Sequence, residues 1–441
     1  MKKIKCTKNS NIVAMLIEEI VASVLARVED FQLSLRGVID DFFRKYPNLA
    51  QLRSVVTAFS LAVLRRYREL DLIAEYELSV SPEEISAYDR NLIRAFTYEA
   101  RYRDISLRKI ARGLRRAGIE VSLSEVRKLR SADLSEYLKT LPPLEKLAVK
   151  YSQPTWVVEY LSKILKEEEL VELLDIFNKP SVLWIRVNTL KINVKELKNK
   201  LMKRGVIVEE DNDLNDILKV IKGSNRLPHI PEYYQGLFYI QDKASALVAH
   251  EIKARKGEVV VDLCSAPGGK ATHIVQLSKA YVIGLDISFR RIFSEKKLSK
   301  NLSAYHFLDL CISDAKIPPL RKADKVLVDP DCSALGKLGH SPEIRLWIKQ
   351  EHVEKYSLLQ RAILEEAAKL VKKNGEIVYS TCTLTLEENE QNVKAIAEKY
   401  DMDFMELEHK IGDSGIDLPS ALRLYPHKHG TQGFFIVKLY K

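Results

Sequence analysis

Cys382 sits in Ser380-Thr381-Cys382-Thr383, directly after Gly375-Glu376-Ile377-Val378-Tyr379. The five-residue run predicts a short buried strand. A thiol at the carboxyl end of a strand in an open α/β sheet faces the crevice where such folds bind ligands. The stretch Leu386-Glu387-Glu388-Asn389-Glu390 behind it predicts the acidic first turn of a helix. The dipole of that helix would favour the reactive thiolate. A second thiol, Cys332, follows the predicted strand Lys325 to Val328 in Asp329-Pro330-Asp331-Cys332-Ser333. Lys270 closes a Gly-rich turn after the strand Glu258 to Leu263. First, fourth and fifth strands neighbour one another in doubly wound sheets, so Lys270, Asp329, Cys332 and Cys382 are expected in one crevice. A thiolate beside a carboxylate and an ammonium group can add to an electron-poor carbon and steer the charge that develops. The competing reading of each cysteine is a small buried hydrophobe.

The same crevice carries a nucleotide-type signal. The turn Cys264-Ser265-Ala266-Pro267-Gly268-Gly269-Lys270 runs into a helix from Ala271 and allows a ligand close to the backbone. The strand Tyr281 to Leu285 ends in Asp286, placed to accept hydrogen bonds from ribose hydroxyls. Asp314, after the third strand, can reach an adenine amino group. The loop lacks G-x-G-x-x-G and G-x-x-x-x-G-K-[ST], which argues against NAD and ATP.

These residues need a large scaffold. The chain has 441 residues, 46% hydrophobic and 29% charged, as in soluble proteins of two or three domains. Cys6, Cys264, Cys311, Cys332 and Cys382 are odd in number and scattered, which predicts no disulfide framework, no metal site and a reduced, cytoplasmic setting. No run is long enough to span a bilayer. The net charge is +10, and residues 101–130 alone hold ten Lys/Arg against three Asp/Glu. Such a local patch predicts a polyanion partner. Residues 1–148 read as all-helical, with helical spacing in Ile12-Val13-Ala14-Met15-Leu16-Ile17 and from Leu61 to Ile73. Ser106 and Gly118 bracket one helix, and Ser122-Leu123-Ser124-Glu125 opens another. Arg108, Arg112, Arg115 and Arg116 share one face. The pair joined by Ala117-Gly118-Ile119 also fits a DNA-binding helix-turn-helix, the alternative to an RNA-binding bundle. Pro142-Pro143 marks a boundary, and residues 149–232 read as a small α/β unit with strands Ser181 to Asn188 and Val206 to Val208. Residues 233–441 read as a doubly wound, Rossmann-like α/β domain.

The chain resembles the Sun/RsmB-like family of RNA cytosine-5 methyltransferases. The resemblance rests on Trp184-Ile185-Arg186-Val187-Asn188, Gln241-Asp242-Lys243-Ala244-Ser245, Ala266-Pro267-Gly268-Gly269-Lys270, Asp329-Pro330-x-Cys332-Ser333, Tyr379-Ser380-Thr381-Cys382 with Glu387-Glu388-Asn389-Glu390, and Gly433-Phe434-Phe435. Residues 1–148 are similar to the NusB-like domain of some members. The resemblance implies S-adenosylmethionine held by Cys264, Ser265, Ala266, Pro267, Gly268, Gly269, Lys270, Asp286, Arg291, Asp314 and Asp329. It implies Cys382 as nucleophile and Cys332 as the group that assists release, with Asp329 and Lys270 in support. It implies an RNA partner. Arg108, Arg112, Arg115 and Arg116 of the basic patch, with Arg186, are expected to bind it, and the chain is expected to act as a monomer. Asp331 stands where the family usually has proline. Its carboxylate is expected to raise the pKa of Cys332 and offers an alternative releasing base. Gln432, where an acid is common, reads as peripheral. Ribosomal RNA is the expected substrate. Transfer RNA, a non-catalytic ribosome-assembly role, a DNA-binding regulator and a methyltransferase acting on DNA or protein are the alternatives.

Overall fold

The computed structural model describes residues 16–116 and 118–441. Cys6, most of the predicted helical stretch from Ile12, and Ala117 lie outside them. The chain forms two compact units.

The first unit comprises residues up to Asn178 and Ser341–Ile348, and its helices bury an apolar core that includes Val21, Leu25, Phe59, Leu70 and Phe96. Pro143 does not close the unit. It opens the helix Pro143–Lys150, where a missing N–H costs nothing, and two further helices follow before Asn178. The predicted run Leu61 to Ile73 is two helices, Arg53–Leu64 and Tyr67–Leu78, broken at Arg65-Arg66. Ser122 and Glu125 form the expected capping box on Leu123–Ser131. Gly118 ends the preceding helix with φ +76°, a conformation glycine adopts without strain.

The second unit holds two sheets. The smaller is antiparallel, in the order β2 (Ile207–Glu210), β3 (Ile217–Lys222), β1 (Leu183–Val187), β4 (Phe238–Ile240). The larger is built on the parallel strands β5 (Val259–Asp262), β6 (Tyr281–Asp286), β7 (Leu308–Ile312), β8 (Ala323–Val328) and β9 (Val371–Thr381). Antiparallel β10 (Asp403–Met405), β11 (Asp413–Gly415), β12 (Leu418–Leu424) and β13 (Phe434–Tyr440) complete it. The order is β11-β12-β13-β9-β8-β5-β6-β7, with β10 beside β13. Val260, Val282, Leu327 and Val378 point to one face, and Val261, Val326, Val328 and Ile377 to the other. Helices cover both faces, which is why the strands read as continuous apolar runs. This is the expected Rossmann-like methyltransferase fold, preceded by a helical region. Four strands were not expected: β3, β11 and β12, and β4, which belongs to the small sheet rather than opening the large one.

Candidate active site

The carboxyl ends of β5, β8 and β9 lie side by side, so the loops that leave them share one crevice. It holds a cavity of about 380 Å³ lined by Asp262, Cys264, Gly269, Lys270, Asp329, Cys332, Lys337 and Cys382, among others. The four residues expected together are together. Lys270 Nζ donates to Asp329 Oδ2 at 2.6 Å, and Ser380 Oγ donates to Oδ1 at 2.8 Å. The carboxylate is therefore fixed by one group from the β5 loop and one from β9.

Sγ of Cys332 and Sγ of Cys382 are 3.1 Å apart. Their loops are bound together beneath the sulfurs. Gly336 N–H donates to the Cys382 carbonyl at 3.0 Å. Buried Glu388 accepts from Ser333 N (2.9 Å), Ser333 Oγ, Thr385 Oγ1 (2.8 Å) and Gln360 Nε2 (2.9 Å). Asn389 accepts from Thr381 Oγ1 at 2.5 Å and donates to the Thr383 carbonyl at 3.2 Å. Glu387 to Asn389 are thus loop residues, and the helix starts only at Glu390. Its dipole is not what acidifies Cys382. The hydrogen bond from Cys332, with the Lys337 ammonium beside the sulfur, brings Cys382 down to about 7 although burial pushes it up. The same hydrogen bond and burial push Cys332 well up.

Asp331 does not act on Cys332 as expected. Its side chain is 68% exposed and turns to Arg291, Oδ2 standing 3.7 Å from Nη1. Arg291 also pairs with Asp286 (3.2 Å) and donates to the Ala266 carbonyl (2.8 Å). It therefore holds the Gly-rich loop and the β6 acid in mutual register.

A second cavity of about 170 Å³ is lined by Leu263, Cys264, Asp286, Ile287, Asp314 and Ala315, among others. It shares Cys264, Arg291 and Asp331 with the first. An acid at the end of β6, a second acid after β7 and apolar walls between them fit an adenosine. Gly268, at φ +99°, keeps the turn tight, and a Cβ there would lie 2.6 Å from Glu295 Cγ. These residues fit S-adenosylmethionine, which Asp286, Asp314 and the Gly-rich turn would hold.

Arg186 is not placed to meet RNA. It is 1% exposed, donates to Gln241 Oε1 (2.8 Å), the Gly269 carbonyl (2.6 Å) and Thr272 Oγ1 (3.1 Å), and props the Gly-rich turn from below. Burial lowers its pKa to about 10. Gln432 is not peripheral, since it lines the larger cavity and its N–H donates to Asp242 at 3.1 Å.

In the helical unit, Arg108, Arg112, Arg115 and Arg116 are exposed around a concavity of about 480 Å³. Arg115 is bound to the Val121 carbonyl (2.8 Å) and Arg116 pairs with Glu19 (3.2 Å). Arg108 and Arg112 have no such partner among the described residues.

Sequence reasoning missed Lys337 and Asp262. Nothing local to Gly336-Lys337-Leu338 signals a site. Asp262 had a signal, since it ends β5 as Asp286 ends β6. Burial, with Glu295 and Asp329 nearby, pushes its carboxyl well above the usual range. The structure also gathers Asp216, His250 and His273 from distant positions. The carboxylate of Asp216 meets Nε2 of His250 at 2.9 Å, Nε2 of His273 at 2.8 Å and Gln276 Nε2 at 2.9 Å. These bonds tie the small sheet to two helices of the large one. No described helix is long and apolar enough to cross a membrane.

Comparison with known proteins places these features in context. Residues 249–440 match the family model of 16S rRNA methyltransferase RsmB/F, and residues 153–225 match the ferredoxin-like domain of RsmF/B-like methyltransferases. A probable ribosomal RNA small subunit methyltransferase B of Bacillus subtilis (strain 168) is 27% identical, over 96% of this chain and 98% of its own length. A tRNA (cytosine(72)-C(5))-methyltransferase of Pyrococcus horikoshii is 35% identical, over 63% of this chain and 68% of its own. The crystal structure of PH0851 superposes with a TM-score of 0.80 at 28% identity, covering 97% of this chain and 99% of that one. NSun6 from Pyrococcus horikoshii, crystallised with the S-adenosylmethionine analogue SFG, gives 0.60 at 28% identity, over 64% and 97%.

Proposed function

The chain belongs to the RsmB/F family of RNA methyltransferases, and we propose that it methylates a cytosine of small-subunit ribosomal RNA through a covalent bond to Cys382. Its activity is S-adenosylmethionine-dependent methylation of RNA cytosine at carbon 5. Ribosomal RNA is favoured over transfer RNA by one observation. The Bacillus relative aligns along 96% of the chain, helical unit included, whereas the transfer-RNA enzyme aligns along 63%.

The pair of thiols 3.1 Å apart carries the mechanistic reading. Carbon 5 of cytosine is a poor nucleophile. Cys382, poised as thiolate, adds to carbon 6, and the ring becomes an enamine with electron density at carbon 5. Asp329, held by Lys270 and Ser380, is oriented to bind the ring edge at nitrogen 3 and the exocyclic amine as charge develops. S-Adenosylmethionine, when bound, supplies an electrophilic methyl group. Release then requires the carbon-5 proton to leave and the Cys382 bond to break. Once Cys382 is bonded to carbon it no longer accepts the Cys332 proton, which passes to solvent. The Cys332 thiolate then takes the carbon-5 proton, the ring double bond re-forms and Cys382 leaves as thiolate, while Asp331 is turned to Arg291 instead. The target base must be unpaired to reach the crevice. Two close free thiols suit a reducing, cytoplasmic setting. Mapping 5-methylcytosine in total RNA from cells with and without the gene tests the substrate. Loss of one small-subunit ribosomal site supports the proposal, and loss confined to a transfer RNA refutes it.

A further inference from the structure

The helix Phe289–Asn301 presents two large rings to solvent. Phe289 is 70% exposed and Phe293 50%, and the rings stack with centroids 6.4 Å apart and planes 15° from parallel. Nζ of Lys297 lies 4.6 Å from the centroid of Phe293. The exposed charges of this helix are Arg290, Lys296, Lys297 and Lys300. Its one acid, Glu295, is buried against Ser265. None of the four cations has a carboxylate partner among the described residues. The outer face is therefore aromatic and purely cationic. Exposed apolar surface of this kind marks binding. Protein interfaces are depleted in lysine, so the composition disfavours a protein partner. Rings that stack on bases and cations that take phosphates are what an unpaired nucleic acid strand requires.

Its place in the fold agrees. The helix begins three residues after Asp286, at the carboxyl end of β6. Arg291, from its first turn, lines both cavities, while Phe289 and Phe293 line neither. The rings thus stand outside the reaction crevice, on the element that forms part of its rim.

We infer that Phe289 and Phe293 are a stacking platform for unpaired bases flanking the target cytosine, with Arg290 and Lys297 on the adjoining phosphates. The inference rests on the RNA-methyltransferase reading and adds a surface to it. The test is fluorescence anisotropy with a labelled single-stranded RNA of about ten nucleotides. The wild type is compared with a Phe289→Leu, Phe293→Leu double variant and a Phe289→Trp, Phe293→Trp double variant. Leucine keeps the apolar bulk and removes the ring face. The expected loss in the leucine variant is at least about fivefold per ring, with a salt slope like that of wild type because no cation is removed. Tryptophan is expected to restore binding, and S-adenosylmethionine affinity stays at wild-type level in both. Unchanged RNA affinity in the leucine variant, with a wild type that binds and methylates RNA, overturns the platform and leaves the enzyme reading intact. A wild type that neither binds nor methylates RNA overturns the enzyme reading and the platform with it. A wild-type dimer that the leucine variant dissociates, seen by sedimentation, would make the face an interface between copies and also overturns the inference.

Discussion

Lys337 sets its ammonium group beside the sulfur of Cys382, and the thiolate in turn holds the ammonium pKa above its ordinary value. The cation comes from the loop that carries Cys332, so one loop delivers both groups that acidify the proposed nucleophile.

This relationship sets the pH dependence. In the proposed mechanism the reactive form is deprotonated Cys382, whose fraction grows as pH rises through about 7. The rate at low substrate should therefore climb through neutrality and level off above it. Lys337→Met removes the cation, so the inflection should move upward. At pH 7 the rate should fall roughly fivefold for the first pH unit of that movement and about tenfold for each further unit, and the loss should close at alkaline pH. Lys337→Arg should retain most of the wild-type profile. A pH profile of the methionine variant that overlays wild type would show that Lys337 does not act on the thiol.

Arg186 should behave as a structural residue. Arg186→Leu leaves the Gly269 carbonyl and Gln241 without their buried donor, each such loss costing about 1–3 kcal/mol. Thermal unfolding should occur several degrees lower and S-adenosylmethionine should bind more weakly. The salt slope of RNA binding should not change; a reduced slope with an unaltered melting temperature would return Arg186 to the RNA-binding set.

Asp286→Ala removes the acceptor proposed for the ribose hydroxyls. Hydrogen bonds to a charged group contribute about 1.5–3 kcal/mol each, so calorimetry should show at least a tenfold weaker S-adenosylmethionine. RNA affinity should be preserved. Equal cofactor affinity in the variant would remove Asp286 from the cofactor site.

The Arg-rich face of the helical unit should divide into two pairs. Arg108→Gln with Arg112→Gln should flatten the salt dependence of RNA binding, by about 0.7–0.9 for each phosphate no longer neutralised. Arg115→Gln with Arg116→Gln should do less, since those side chains are engaged with Val121 and Glu19. Equal effects from both pairs would mean that the exposed charge acts only as a diffuse field.

The parallel strands of the large sheet and most of the crevice were legible because buried parallel strands are unbroken apolar runs with chemistry at their ends. Asp286, Asp329 and Cys382 are all found that way. β3 was hidden because Lys219 and Lys222 interrupt its apolar residues at a partly exposed sheet. Pro419 and Arg423 masked β12, although Arg423 is buried against Glu390 by two bonds of 2.6 Å. Arg186 and Lys337 were misjudged or missed for one reason. A cation in a sequence does not reveal whether tertiary packing turns it to solvent or to a buried acceptor. The acids after Cys382 had the right composition for a helix start, but folding spends Glu388 on joining the Cys332 loop to that of Cys382, and Asn389 on bracing Thr381 and Thr383 around the thiol.

That Cys382 bonds the RNA and Cys332 frees it is tested most directly by denaturing electrophoresis with mass analysis of protein–RNA adducts. Wild type should show little adduct at steady state, and Cys382→Ala neither adduct nor methyl transfer. Cys332→Ala should accumulate a methylated adduct through Cys382 that survives denaturant. Normal turnover in Cys332→Ala, with trapping in Asp331→Ala instead, would assign release to the carboxylate. An adduct that persists in Cys382→Ala and vanishes in Cys332→Ala would contradict these roles outright.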